Sequence, residues 1–185
     1  MPFTYDFPRP GLTADCVVFG LADDDPLQVL LIQRAKYPFE GSWAVPGGFI
    51  EENEDPLEAA QRELEEETGL ANLPMNQFHT FGKPGRDPRG WVVTVAHWTV
   101  VRVEQVNPVA GDDAAKTQWF PLDTLPPLAF DHDEMLERAV NALRAAIQNT
   151  PPDGLPFSHN IDTSSIHKAL NPEPFFFLHE RPPPH

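Results

Sequence analysis

A chain of 185 residues is long enough for one domain with a proper core and too short for two of ordinary size. At 41% hydrophobic and 22% charged residues it reads as a soluble globular protein; no apolar run approaches the roughly 20 residues of a membrane span, and the N-terminus lacks a signal-peptide layout, so a cytoplasmic setting without a membrane partner is expected. A formal charge of −15 argues against nucleic acid as a partner, because that binding rests on Lys and Arg neutralising phosphates, and any anionic ligand needs local cations.

The apolar, β-branched run over residues 12–21 predicts a strand. Its Cys16, the only cysteine, reads as a small core residue with no disulfide and no thiol chemistry. The turn formers Asp23-Asp24-Asp25-Pro26 lead into a second strand over 29–33, favouring an antiparallel pair, and Arg34 closes it. Residues 37–48 combine aromatics, prolines and glycines and predict an ordered loop with a short strand at 43–45. Gly47 and Gly48 there allow close backbone approach to a ligand.

A helix is predicted over 56–68. Asp55 or Asn53 is placed to cap it, Pro56 suits its first position and Gly69 follows its last turn. Leu57, Ala60 and Leu64 mark a buried stripe, while Glu63, Glu66 and Glu67 share another face at i, i+3 and i+4. Like charges at these spacings oppose a helix by roughly 0.2–0.5 kcal/mol per pair, so the face needs a compensating partner. Either it is simply solvated, or it meets a hard divalent cation such as Mg²⁺, which takes carboxylate and phosphate oxygens. Arg62, four residues from both Glu58 and Glu66, is placed to tie the acidic face together or to brace the loop before the helix.

The full spacing decides between these. Gly48, five residues, Glu54, seven residues, then Arg62-Glu63-Leu64-x-Glu66-Glu67-x-Gly69-Leu70 resembles the Nudix box at every fixed position. The resemblance implies a loop-helix-loop that binds Mg²⁺ or Mn²⁺ and hydrolyses a nucleoside diphosphate linked to another group. It assigns metal ligation to Glu63, Glu66 and Glu67, places Glu54 nearby, gives Arg62 a structural part in the catalytic set, and lets the backbone at Gly47 and Gly48 complete the metal shell, Gly48 being the position retained.

After the box, residues 78–83 predict a strand, 84–90 a turn-rich loop carrying Arg86 and Arg89, and 91–103 the strongest strand of the chain. A guanidinium offers a planar fork to phosphate oxygens, so Arg86 and Arg89 are candidates for the second phosphate or the terminal sugar. Residues 109–120 combine an acidic loop with a short strand around Trp119; Asp112 and Asp113 are a solvated turn, or orient water, support a metal ion or accept hydrogen bonds from a base. The last predicted helix carries Leu136, Val140, Leu143 and Ile147 on one face, with Asp131 as a plausible cap and His132 expected to make a hydrogen bond at the helix start.

The segments GRDPRG, GDDAAxxxWF and AFDH make residues 12–149 similar to one Nudix branch, which holds ADP-ribose pyrophosphatases and Nudix-related regulators of NAD metabolism. Lys116 departs from it, standing where many members carry an acidic residue before the tryptophan. The winged helix of the regulators finds no room in the remaining residues. The branch implies an α+β fold, a Nudix-type α/β/α sandwich with a central mixed sheet over 1–149, and commonly a homodimer. Its implied reaction is hydrolysis of ADP-ribose to AMP and ribose 5-phosphate, with a broader nucleoside diphosphate sugar or triphosphate hydrolase and a non-catalytic ADP-ribose sensor as alternatives. Arg34, Arg86, Arg89, Asp113, Phe130 and His132 form the expected substrate-binding set. Residues 150–185 read as an extended Pro-rich tail whose Phe175-Phe176-Phe177-Leu178 cluster docks on its own domain or on a second subunit, and His159, His167, His179 and His185 as tail residues.

Overall fold

The computed structural model describes residues 4–23, 26–111, 114–150, 155, 157 and 161–170. Strands β1 (Gly11–Leu21), β2 (Gln28–Arg34), β3 (Trp43–Ala44) and β4 (Gly47–Phe49) precede helix α1 (Pro56–Thr68). Then come β5 (Asn76–Phe81), β6 (Val92–Arg102), a 3-10 turn (Val103–Gln105), β7 (Ala114–Pro121), α2 (His132–Asn149) and α3 (Thr163–Ala169). None of these helices is long and apolar enough to cross a membrane.

β1 is the axis of the sheet. It runs parallel to β6 along its whole length, from Gly11↔Val92 to Leu21↔Arg102, whereas the other pairings are antiparallel, so the sheet is mixed, in the order β3-β2-β1-β6-β5. β1 and β2 form the antiparallel pair expected from the turn between them, but their register covers only Phe19↔Val29 and Gly20↔Gln28. Beyond it the edge of β1 takes β4 instead, at Thr13, Ala14 and Asp15, while β2 pairs with β3 and β7. The Gly47–Gly48 segment, expected as loop, is thus a strand seated beside β1.

Side chains alternate across a strand, so β1 feeds two cores. Val17, Phe19 and Leu21 join Leu136, Val140 and Leu143 of α2 and Ile166 of α3 on one face; Ala14, Cys16 and Val18 join Ala59, Ala60 and Leu64 of α1 on the other. This is the three-layer α/β/α arrangement, with Cys16 a fully buried core residue. The stripe of α1 differs from expectation at one position: Leu57 is 37% exposed and Ala59 takes its place in the core. Residues 163–169, expected as extended tail, form α3, capped by Asp162 accepting from Ser164 N and anchored by Ile166. The Phe175–Leu178 cluster, Asp113, His159, His179 and His185 lie outside the described residues.

Candidate active site

The acidic helix is built by local signals. Asp55, rather than Asn53, is its cap: its carboxylate accepts from Leu57 N at 2.9 Å, and Glu58 returns the bond by accepting from Asp55 N at 3.1 Å. Gly69 ends the helix in the left-handed region at φ 71°, its N–H reaching Glu65 O. Arg62 does both things expected of it. It binds Glu54 at 2.7 and 3.0 Å, Glu63 at 2.7 Å and Glu66 at 3.2 Å, and donates to Phe49 O at 3.0 Å, bracing the loop before the helix. Glu58 is absorbed in the capping box.

The three glutamates of the face then part company. Glu67 is buried, its Oε2 accepts from Gly47 N at 2.9 Å, and burial pushes its carboxyl up to about 8. Glu63 is half-buried and also raised, by desolvation that outweighs its bond to Arg62. Glu66 stays at the rim, its side chain 59% exposed beside Arg62. The glycine pair is required by packing: a Cβ on Gly48 would overlap the Glu63 carboxylate, and one on Gly47 would lie 2.6 Å from Ala14 O and overlap the Asp15 carboxylate.

Asp15 was missed in the sequence. It sits opposite Gly47 on β1, is 7% exposed, and is raised to about 7 by burial, against the lowering influence of Arg86. The available signal was a carboxylate inside the apolar strand run of residues 12–21, a position where a charge is rare without a reason.

A second wall faces the glutamates. Arg34 donates to Pro38 O at 2.7 Å and lies 5.0 Å from the Phe130 ring; Arg89 lies 5.3 Å from the same ring and 4.9 Å from Phe49. Asp87, unremarked in the sequence, is buried and takes Arg89 N, Nε and a terminal nitrogen, which sets the direction of that arm. Phe130 has φ 55°, an uncommon conformation for a bulky residue, beside the edge-on ring of Phe39.

Three of the expected residues take partners that the sequence did not show, and for Asp131 the expected cap is corrected. Arg86 has two of its nitrogens on Asp131 at 2.9 and 2.6 Å and a third on Thr94 at 2.7 Å, with the side chain 5% exposed, so it lies in the floor of the site. Asp131 consequently makes no side-chain cap to α2, its carboxylate being committed to the guanidinium. His132, the first residue of α2, makes the expected hydrogen bond with Val45, whose N–H donates to Nδ1 at 3.0 Å. That leaves the ring proton on Nε2, and burial holds the imidazole down at about 3.

Two connected spaces result. A cleft of about 460 Å³ is lined by Arg34, Gly48, Arg62, Glu63, Glu66, Glu67 and Arg89, among others. A tight polar niche that shares Arg34, Gly47, Gly48 and Arg89 with the cleft is lined also by Thr13, Asp15, Arg86, Asp87, Phe130 and His132. Glu54 stands behind Arg62 and reaches the cleft only through it. Lys116 is exposed on β7, opposite Gln33. Among the described residues no three acidic, histidine or cysteine groups are closed around one point. The donor chemistry nonetheless fits a divalent cation: hard carboxylate oxygens, half-buried and with raised proton affinity, line a cleft open enough to leave room for water and phosphate, the coordination Mg²⁺ prefers.

Comparison with known proteins agrees with this geometry. The model of the NUDIX domain matches residues 10–139. The chain is 40% identical over 129 residues to the ADP-ribose pyrophosphatase of Methanocaldococcus jannaschii, covering 70% of this chain and 72% of that protein. It is 36% identical over 138 residues to the ADPR responsive transcriptional repressor NtrR of Acinetobacter baylyi, covering 72% of this chain but spanning only 54% of the repressor. The NUDIX domain of Shewanella oneidensis NrtR, solved as a cocrystal with ADP ribose, superposes with a TM-score of 0.69 at 36% identity, covering 75% of this chain and 94% of that one. Box helix, mixed sheet and matched span together place this chain in the Nudix family.

Proposed function

We propose that the protein is a Nudix pyrophosphohydrolase that hydrolyses a nucleoside diphosphate derivative in the presence of Mg²⁺ or Mn²⁺, with ADP-ribose as substrate and AMP and ribose 5-phosphate as products. The observation that carries the reading is one cleft with carboxylates on one wall and guanidiniums on the other. The likeness to an ADP-ribose pyrophosphatase and to a domain solved with ADP ribose supports the substrate.

Glu63, Glu66 and Glu67, with backbone oxygen near Gly48, would hold the cation. Bound there, it supplies Lewis acidity toward phosphoryl oxygen and acidifies water. The chain's own residues do the rest. Arg34 and Arg89 donate to the diphosphate oxygens as planar forks, held against Phe130 and Phe49 and, for Arg89, aimed by Asp87. The Gly47 N–H fixes one oxygen of Glu67 so that the other faces the cleft. Water adds to one phosphorus, the bridging P–O bond breaks, and the bridging oxygen leaves with the other phosphate. The halves separate as two monophosphates; one proton of the attacking water passes to solvent and the other stays on the oxygen newly bonded to phosphorus.

Incubation with ADP-ribose and Mg²⁺ or Mn²⁺, read by chromatography, tests this: AMP and ribose 5-phosphate appear in equal amounts. Cleavage of nucleoside diphosphate sugars or triphosphates at matching kcat/KM would instead make it a broader hydrolase. Likeness to the repressor gives a second reading its one support, an ADP-ribose sensor; tight binding of ADP-ribose with no AMP released is the result that selects it. A homodimer accompanies the proposal, with exposed Phe7, Leu12 and Trp91 offering apolar surface, and sedimentation velocity measures it.

A further inference from the structure

Residues 106–111, which follow the 3-10 turn, lie across the last turn of α1. Val109 N donates to Thr68 O at 2.8 Å and Gly111 N to Glu67 O at 3.1 Å. These carbonyls are among those a helix end leaves without intrahelical partners, so the segment finishes the hydrogen bonding of the helix from outside. The approach is closest at Gly111. A Cβ there would overlap the Glu66 carbonyl oxygen and stand 2.9 Å from the Glu66 carbonyl carbon and 3.4 Å from Glu67 Cα. Gly41 and Gly85 have positive φ and open space around them; Gly111 needs to be glycine for room, not for its backbone angles. What it presses on is helix backbone, which cannot yield without carrying the Glu66 and Glu67 side chains with it. Glu67 is thus gripped twice, at its carboxylate by Gly47 N and at its backbone by Gly111 N.

We infer that Gly111 is a positioning residue: its close seat on the Glu66–Glu67 peptide sets where those two carboxylates stand in the cleft, and any side chain at 111 lifts the segment and displaces them. The inference rests on the reading of Glu66 and Glu67 as cation-binding groups, and it is tested apart from turnover. Gly111→Ala and Val109→Pro, the second removing the N–H that binds Thr68 O at an exposed position, are compared with the wild type in full-length protein. Mn²⁺ affinity is measured by electron paramagnetic resonance without substrate, alongside kcat, KM and thermal midpoint. Val140→Ala, in the core on the opposite face of the sheet, serves as the stability control.

Gly111→Ala is expected to weaken Mn²⁺ binding by about 10- to 100-fold, the range seen when groups supporting a metal ligand are removed, and to lower kcat with KM changed less than about threefold. Val109→Pro follows in the same direction with a smaller effect and decides the matter if Gly111→Ala does not fold. Val140→Ala lowers the thermal midpoint yet binds Mn²⁺ as the wild type does. Wild-type Mn²⁺ affinity in both loop variants, or a loss in Val140→Ala that matches theirs, overturns the inference and leaves the reaction untouched. A wild type that binds Mn²⁺ but does not cleave ADP-ribose removes the substrate and leaves Gly111 in its role. A wild type that binds no Mn²⁺ removes both.

Discussion

The two walls of the cleft carry opposite charge and balance it by opposite means. Across the arginine wall and the floor beside it each guanidinium has its own anchor: Asp87 for Arg89, the Pro38 carbonyl for Arg34, and Asp131 for Arg86. On the helix wall a single guanidinium, Arg62, serves Glu54, Glu63 and Glu66, and Glu67 meets a backbone N–H instead of a cation. Proton affinities register the difference. Burial pushes Asp87 up, but its bonds to Arg89 prevail and hold it below the ordinary carboxylate range, whereas burial wins at Glu67 and pushes it up to about 8. One wall is prearranged with its charges settled. The other crowds carboxyls whose ionised form burial disfavours, an arrangement that a bound divalent cation would relieve and that a wall built only for stability would avoid.

The largest expected effect strikes the helix wall. Glu67→Gln retains an oxygen for the Gly47 N–H and replaces a carboxyl whose charge burial already disfavours with a neutral amide, so the fold persists while kcat falls by about 10²- to 10⁴-fold. Circular dichroism and single-turnover kinetics check both halves, and unchanged kinetics would remove the carboxylate wall from the chemistry. Next is the floor. Arg86→Ala leaves Asp131 buried and unpaired, which costs about 3–5 kcal/mol of stability in a urea titration. Glu66→Ala, by contrast, breaks only an exposed pair worth less than about 1 kcal/mol, yet impairs turnover. If the two stability losses match, the contrast between the walls is wrong.

The arginine arms come third. If Arg89 binds the diphosphate as proposed, Arg89→Ala removes charge-assisted bonds worth about 1.5–3 kcal/mol, a KM increase of about 10- to 100-fold. Asp87→Asn leaves the arm but loosens its aim, and its KM increase is expected to be smaller. Equal effects would mean that direction matters as much as charge.

The smallest effect is a pH dependence. His132 is held at about 3 in the fold against an ordinary 6.5, so between those values the unfolded chain binds a proton that the folded chain refuses. Its contribution to stability is therefore complete above about pH 7 and declines as the pH falls through 6.5, by about 1 kcal/mol at pH 5.5. His132→Asn keeps an acceptor for Val45 N–H and lacks the titration, so urea midpoints of the two proteins measured from pH 7.5 to 5 converge on the acid side if the histidine is responsible.

Much of the helix wall was legible in the chain. Asp55, Pro56 and Gly69 bound α1 through contacts within four residues, and the spacing of Glu63, Glu66 and Glu67 puts them on one face whatever surrounds them. The apolar pattern of β1 and of α2 likewise announced the layers. The site's polar floor was not legible. Arg86 reads in sequence as an exposed arm on a Pro/Gly loop, and its partner Asp131 lies 45 positions away, at what looks like an ordinary helix cap. Asp15, within a strand run, and Asp87, between two arginines, gave no local sign of what they would face.

By itself the sequence determined most of the elements, β4 and α3 excepted, together with the acidic face and the family spacing, because periodicity, capping and turn chemistry act over a few residues. The tertiary structure decided which carboxylates lose their water, which guanidiniums are already spoken for, and that Gly47, Gly48 and Gly111 are needed as clearance for Asp15, Glu63 and Glu66. Desolvation and steric room depend on what the sheet brings alongside a residue, and β1, β4 and α1 come together only when the layers close.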